Sequence, residues 1–66
     1  MASYRIYRLD GGGRLGLGET FEAESDGDAV VRAQALHRHG VASELWSGGR
    51  MVGRFSKLGV FTRGPG

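Results

Sequence analysis

Two glycine-rich turns placed either side of a single helix start constrain this chain more than any other feature of its sequence. Tyr4-Arg5-Ile6-Tyr7-Arg8-Leu9 is rich in aromatic and β-branched residues and reads as a strand, stopped by Asp10-Gly11-Gly12-Gly13. Asp-Gly opens a hairpin because glycine reaches positive φ without a Cβ clash. Ser47-Gly48-Gly49-Arg50 plays the same part between residues 42–46 and 51–55, the predicted third and fourth strands. Residues 14–23 alternate and form the second strand. Leu15, Leu17, Phe21 and Ala23 fall on one face, with Arg14, Gly16, Gly18 and Glu22 on the other. The two glycines weaken or bulge this strand, which argues for an edge position or a close approach on that face.

Ser25-Asp26-Gly27-Asp28 marks the helix start. Ser25 caps the backbone, Asp28 sits near the acidic position of a capping box, and both carboxylates suit the positive end of the helix dipole. Ala29, Val30, Ala33 and Leu36 follow at helical spacing, with His37 on the same flank. Gly40 is expected to close the helix in a left-handed conformation, leaving His37, Arg38 and His39 in the last turn. The apolar helix face is narrow and mostly alanine, so the helix must lie close to the sheet.

Chain direction then restricts the topology. The expectation is an α+β, ββαββ domain over residues 1–55. Its four-stranded antiparallel sheet has the order 2-1-3-4, and one helix covers one face. Residues 56–66 are expected to form a partly flexible C-terminal tail, although Leu58-Gly59-Val60-Phe61 is apolar enough to dock or add a strand. A one-sided sheet normally presents a polar open face. Here Tyr4 and Ile6 oppose Tyr7 and Leu9 in the first strand, and Leu45 opposes Trp46 in the third. Whichever side meets the helix, an aromatic residue and an arginine stay on the other.

Sixty-six residues make one domain that buries only about 60% of its unfolded surface. Domains this small are usually stapled by disulfides, a metal or a partner. The chain has no cysteine. His37 and His39 are two apart on a helix, point to different sides, and cannot complete a zinc site without carboxylates. No metal or cofactor is expected, which leaves a second copy of the chain as the staple. No stretch is apolar enough to span a bilayer, and Met1-Ala2-Ser3-Tyr4-Arg5 has no signal-peptide pattern, so no membrane contact and a cytoplasmic location are expected.

Catalytic parts are missing. Gly11-Gly12-Gly13-Arg14-Leu15-Gly16 matches G-x-G-x-x-G, but a strand follows it where a dinucleotide fold needs a helix. It reads as a hairpin loop. The serines have no base and orienter in sight, most acids fall in turns or at the helix start, and a buried pocket of about 300 Å³ or more is hard to fit in so small a monomer. The chain is expected not to be an enzyme and to have no catalytic residues.

Nine Lys/Arg against seven Asp/Glu leave a net charge of +2, with Lys57 the only lysine. The candidate interaction face is Tyr4, Arg5, Tyr7, Arg8, Trp46 and Arg54, with Arg50 near it. Its first reading is self-association as a homodimer, since interfaces favour Trp, Tyr and Arg. A different protein partner comes next. The alternative is a small nucleic-acid-binding protein, whose rings stack on bases while arginines meet phosphates.

Y-R-I-Y-x-L-D-G at the first strand, the acidic Glu22-Ala23-Glu24-Ser25-Asp26 before an alanine-rich helix, Glu44-Leu45-Trp46 and Val52-Gly53-Arg54 together resemble a group of short uncharacterised bacterial proteins. The resemblance covers residues 4–55 and implies a ββαββ pattern. It carries no assigned function and no site residues.

Overall fold

The computed structural model describes residues 1–64. In chain order they form β1 (Ala2–Leu9), β2 (Leu15–Ala23), α1 (Asp26–Leu36), β3 (Ser43–Ser47), β4 (Arg50–Phe55) and β5 (Phe61–Arg63). The strands make one antiparallel sheet in the order β2-β1-β3-β4-β5, so the fold is α+β with a single helix. The order expected for the first four strands is found, and a fifth strand corrects the expected count of four.

That fifth strand pairs with β4 across a short turn and rests on a contact between the two strands. Gly53 has no side chain, and a Cβ there would run into the Phe61 ring and the Thr62 carbonyl. Phe61 therefore packs directly over β4, its ring centroid 5.1 Å from that of Phe55. The connecting turn is held by Ser56, whose Oγ accepts from the Leu58 and Val60 amides at 3.3 and 3.1 Å, and by Gly59 at φ +92°. Residues 56–64 thus belong to the domain where a partly flexible tail was expected. Pro65 and Gly66, which the expected tail also included, lie outside the described residues.

The helix begins as its sequence dictates. The Ser25 Oγ accepts from the Asp28 amide at 3.2 Å, and an Asp28 carboxylate oxygen accepts from the Glu24 amide at 3.1 Å. Two amide donors near the start of the helix are thereby satisfied. Its end differs from expectation: α1 stops at Leu36, with His37 already extended at φ −62°, ψ 138°. Gly40 is left-handed at φ +89° but belongs to the following turn, where its N–H donates to the Lys57 carbonyl at 2.8 Å. The last helical turn holds no basic residue. The cation that serves it comes from the sheet, for Arg8 Nη2 donates to the Leu36 carbonyl at 3.0 Å.

The core lies between α1 and one sheet face. Ala29 and Ala33 bring the helix close to the sheet, against Tyr4, Ile6, Ala23, Leu45, Val52 and Phe55, with Phe21, Val30 and Phe61 packed at its margin. Leu45 and Phe55 are the largest side chains buried completely. Such a core is small, which limits the stability available to one copy.

Candidate functional site

Alternation along β1 sends Tyr4, Ile6 and Arg8 toward the helix and Arg5, Tyr7 and Leu9 to the open side. The β1–β2 register repeats that sorting only as far as Ile6↔Glu19. It then slips by one residue, so that Tyr7 faces Leu17 and Leu9 faces Leu15, leaving Gly18 as the extra residue of a bulge. A one-residue slip moves the rest of a strand to the opposite face. Phe21 and Ala23 join the core, while Leu15 and Leu17 go to the open side. They do not share one face as the uninterrupted alternation implied. Gly18 is small for a reason: a Cβ there would collide with the Arg8 guanidinium.

On the open face, Leu17, Tyr7, Glu44, Arg54 and Thr62 stand in one cross-strand row, with Arg5 opposite Trp46 in the next. Glu44 ties the two rows together. One carboxylate oxygen accepts from Trp46 Nε1 at 3.1 Å, and the other lies 3.6 Å from Arg54 Nη2. That carboxylate is only 12% exposed, so the indole is held by a partly desolvated acceptor. Tyr7, Leu15, Leu17, Trp46 and Gly48 line a shallow depression of about 360 Å³. Leu15 and Leu17 are 49% and 61% exposed, unusual for leucines in a strand. Nothing within the described residues covers them.

The structure divides the expected interaction residues. Arg5, Tyr7, Trp46 and Arg54 lie together on the open face. Tyr4 and Arg8 do not: both point to the helix side, and this corrects their placement. Tyr4 is 2% exposed and its hydroxyl donates to Asp26 Oδ1 at 2.8 Å, because the helix start lies over this end of β1. Arg8 Nη2 donates to Glu19 Oε2 at 2.7 Å as well as to the helix end. Arg50 is likewise occupied on the helix side, gripping both oxygens of Asp26 at 2.8 and 2.9 Å. Leu15, Leu17 and Glu44 are the open-face residues that sequence reasoning missed. The one signal for the leucines was Gly18 inside a strand.

Charge is arranged around these contacts. Hydrogen bonds from Arg50 and then from Tyr4 hold the Asp26 carboxyl down at about 2. The same bond to Asp26 pushes the Tyr4 hydroxyl up, and that partner does the same for the Arg50 guanidinium. Asp28 is lowered by the Glu24 amide first and Arg32 second. All four groups belong to the helix start and its anchor on the sheet, so these shifts reflect structural bonding.

His37 and His39 form no pair. The His37 ring packs near Phe55 and its Nε2 donates to the Lys57 carbonyl at 3.2 Å, while His39 is exposed. Among the described residues, no three His, Asp or Glu side chains are grouped to hold a metal ion. No described helix is long and apolar enough to cross a membrane. Comparison with protein-family models, with curated proteins and with solved structures finds no match.

Proposed function

We propose that this chain is a non-catalytic binding module that self-associates through the open face of its sheet, with a second copy covering Tyr7, Leu15, Leu17 and Trp46. The observation that carries this reading is the Gly18 bulge, which turns two leucines away from the core and beside two aromatic residues. Exposed apolar surface of this kind, on a domain with so small a core, is stabilised by burial against a partner. The molecule measures 33 × 21 × 20 Å, which limits a face-to-face contact to on the order of 700 Å² per copy. Twice that lies inside the range of about 1,200–2,000 Å² typical of specific interfaces. The face also carries both signs of charge, Arg5 and Arg54 against Glu44 and Glu22. A two-fold axis can therefore set unlike charges opposite one another.

Nucleic-acid binding is the weaker reading because the open face offers fewer free cations than the sequence promised. Arg8 and Arg50 are engaged on the helix side, and Arg54 is shared with Glu44. Sedimentation velocity across a concentration series tests the proposal, with Leu17→Asp as the variant. Leu17 is exposed and lies outside the core cluster, so the variant is expected to keep its circular dichroism spectrum and to sediment as a monomer. A wild-type chain that stays monomeric throughout, or an oligomer untouched by Leu17→Asp, would overturn it.

A further inference from the structure

At the far end of the molecule from Asp26, a solvent-open cleft of about 520 Å³ separates the β1–β2 turn from the segments after α1 and β4. Leu9, Val41 and Ala42 line it along with Arg8, Arg38 and Lys57. It shares no lining residue with the depression beside Trp46. Its volume falls within the roughly 300–1,000 Å³ of small-molecule sites. We infer that this cleft binds a small organic anion, with a phosphate or carboxylate head held by Arg38 and Lys57 and an apolar body lying on Leu9, Val41 and Ala42.

Three observations carry the inference. The first is charge: among the described residues, no carboxylate lies within ion-pair distance of Arg38 or Lys57, and of the cations without such a partner these two line the cleft while Arg5, Arg14 and Arg63 do not. Arg38 and Lys57 outnumber Asp10, the one acid lining the cleft, so the lining is net positive; that attracts an anion, and a planar guanidinium suits a phosphate or carboxylate head. The second is how the opposing charges nearby are held. Asp10 also lines the cleft, but its Oδ1 accepts from the Gly12 and Arg14 amides at 2.8 and 3.0 Å. The negative end of the helix dipole points this way too, and Arg8 meets it at the Leu36 carbonyl.

The third observation is rigidity. The Lys57 carbonyl takes the Gly40 amide at 2.8 Å, Val41 donates to the Arg38 carbonyl at 3.1 Å, and Leu9 donates to that of Ala42 at 2.9 Å. The Asp10 amide and carbonyl close the hairpin turn on Arg14 and Gly13. The backbone of the walls is held by these hydrogen bonds before a ligand arrives, so the ordering that binding must supply falls on the exposed Arg38 and Lys57 side chains.

Amide chemical shifts of the full ¹⁵N-labelled chain, titrated with phenyl phosphate, benzoate and inorganic phosphate, test the site. The expected result is saturable shifts confined to residues 9–13, 38–42 and 57, at about 1 mM or tighter for phenyl phosphate. Inorganic phosphate should be several-fold weaker because it has no apolar body. Benzoate, if it matches phenyl phosphate, assigns the head group as a carboxylate as readily as a phosphate. The Arg38→Gln/Lys57→Gln double variant should lower the affinity at least tenfold with the rest of the spectrum unchanged, and Arg5→Gln/Arg54→Gln should not. No saturable shift with any of the three anions would overturn the inference. So would shifts spread over Arg5, Arg54 and Arg63, or binding that survives the double variant.

Discussion

Tyr4 and Tyr7 stand three residues apart on one strand and meet opposite fates. Tyr4 is stacked on Phe21 with centroids 5.9 Å apart and has its hydroxyl bonded to the first residue of the helix. Tyr7 faces Leu17 beside an indole, under no helix. The same contrast runs across the whole sheet. On the helix side the arginines find partners within the chain: Arg8 with Glu19 and the helix end, Arg50 with Asp26. The open side brings leucines, aromatic rings and charges together and leaves them uncovered. One face is packed under the helix and the other has no element over it, and substitutions on the two should fail differently.

The sharpest way to break that contrast is a cavity on the helix side. Phe55→Ala should cost about 3–5 kcal/mol, enough to abolish the thermal unfolding transition by circular dichroism. If its fold survived unchanged, the core would be misassigned. Gly53→Ala should come next, at about 1–3 kcal/mol, since Phe61 and β5 must move to admit the methyl group. Loss of protection at the β4–β5 amides in hydrogen exchange reads that displacement, and β5 amides as protected as before would contradict it. Ser25→Ala removes the acceptor for the Asp28 amide and should lower stability by about 1 kcal/mol in urea unfolding.

The pH dependence sharpens the comparison further. Asp26 titrates lower in the folded chain, at about 2, than its ordinary 3.8. The folded state therefore binds this proton more weakly than the unfolded state does. The stability it contributes is complete above about pH 4 and is lost as the pH falls toward 2. Arg50→Gln, which removes the first cause of the shift, should flatten the urea midpoint across that window. Tyr4 works in the opposite sense: its raised value makes its contribution complete below about pH 10 and lost above it. The smallest effect belongs to the exposed Arg32–Asp28 pair. Arg32→Ala should change the urea midpoint by no more than about 0.5 kcal/mol-equivalent.

Much of the fold was legible because local chemistry encodes it. The Asp10 and Gly48 turns, the Ser25 cap and the alanine face of α1 each act within a few residues, and chain direction then leaves few sheet orders. What escaped depends on contacts between one element and another. No local signal says that Phe61 will lie on Gly53, or that Arg8 will meet the Leu36 carbonyl and relieve the helix of a basic last turn. The site was legible by half. Alternation shows that one tyrosine and one set of arginines must remain on the open side. Only the place of the helix start, which claims Tyr4 and Arg50 through Asp26, tells which. The bulge at Gly18 had the largest consequence, since one extra residue exchanged the destination of Leu15 and Leu17.

Light scattering on the eluting chain measures most directly whether the open face is a contact surface. At micromolar concentration the wild-type chain should show twice its 7.1 kDa mass, and Leu17→Asp should return it to 7.1 kDa with an unchanged fold. A mass of 7.1 kDa for the wild type at every concentration would contradict the account.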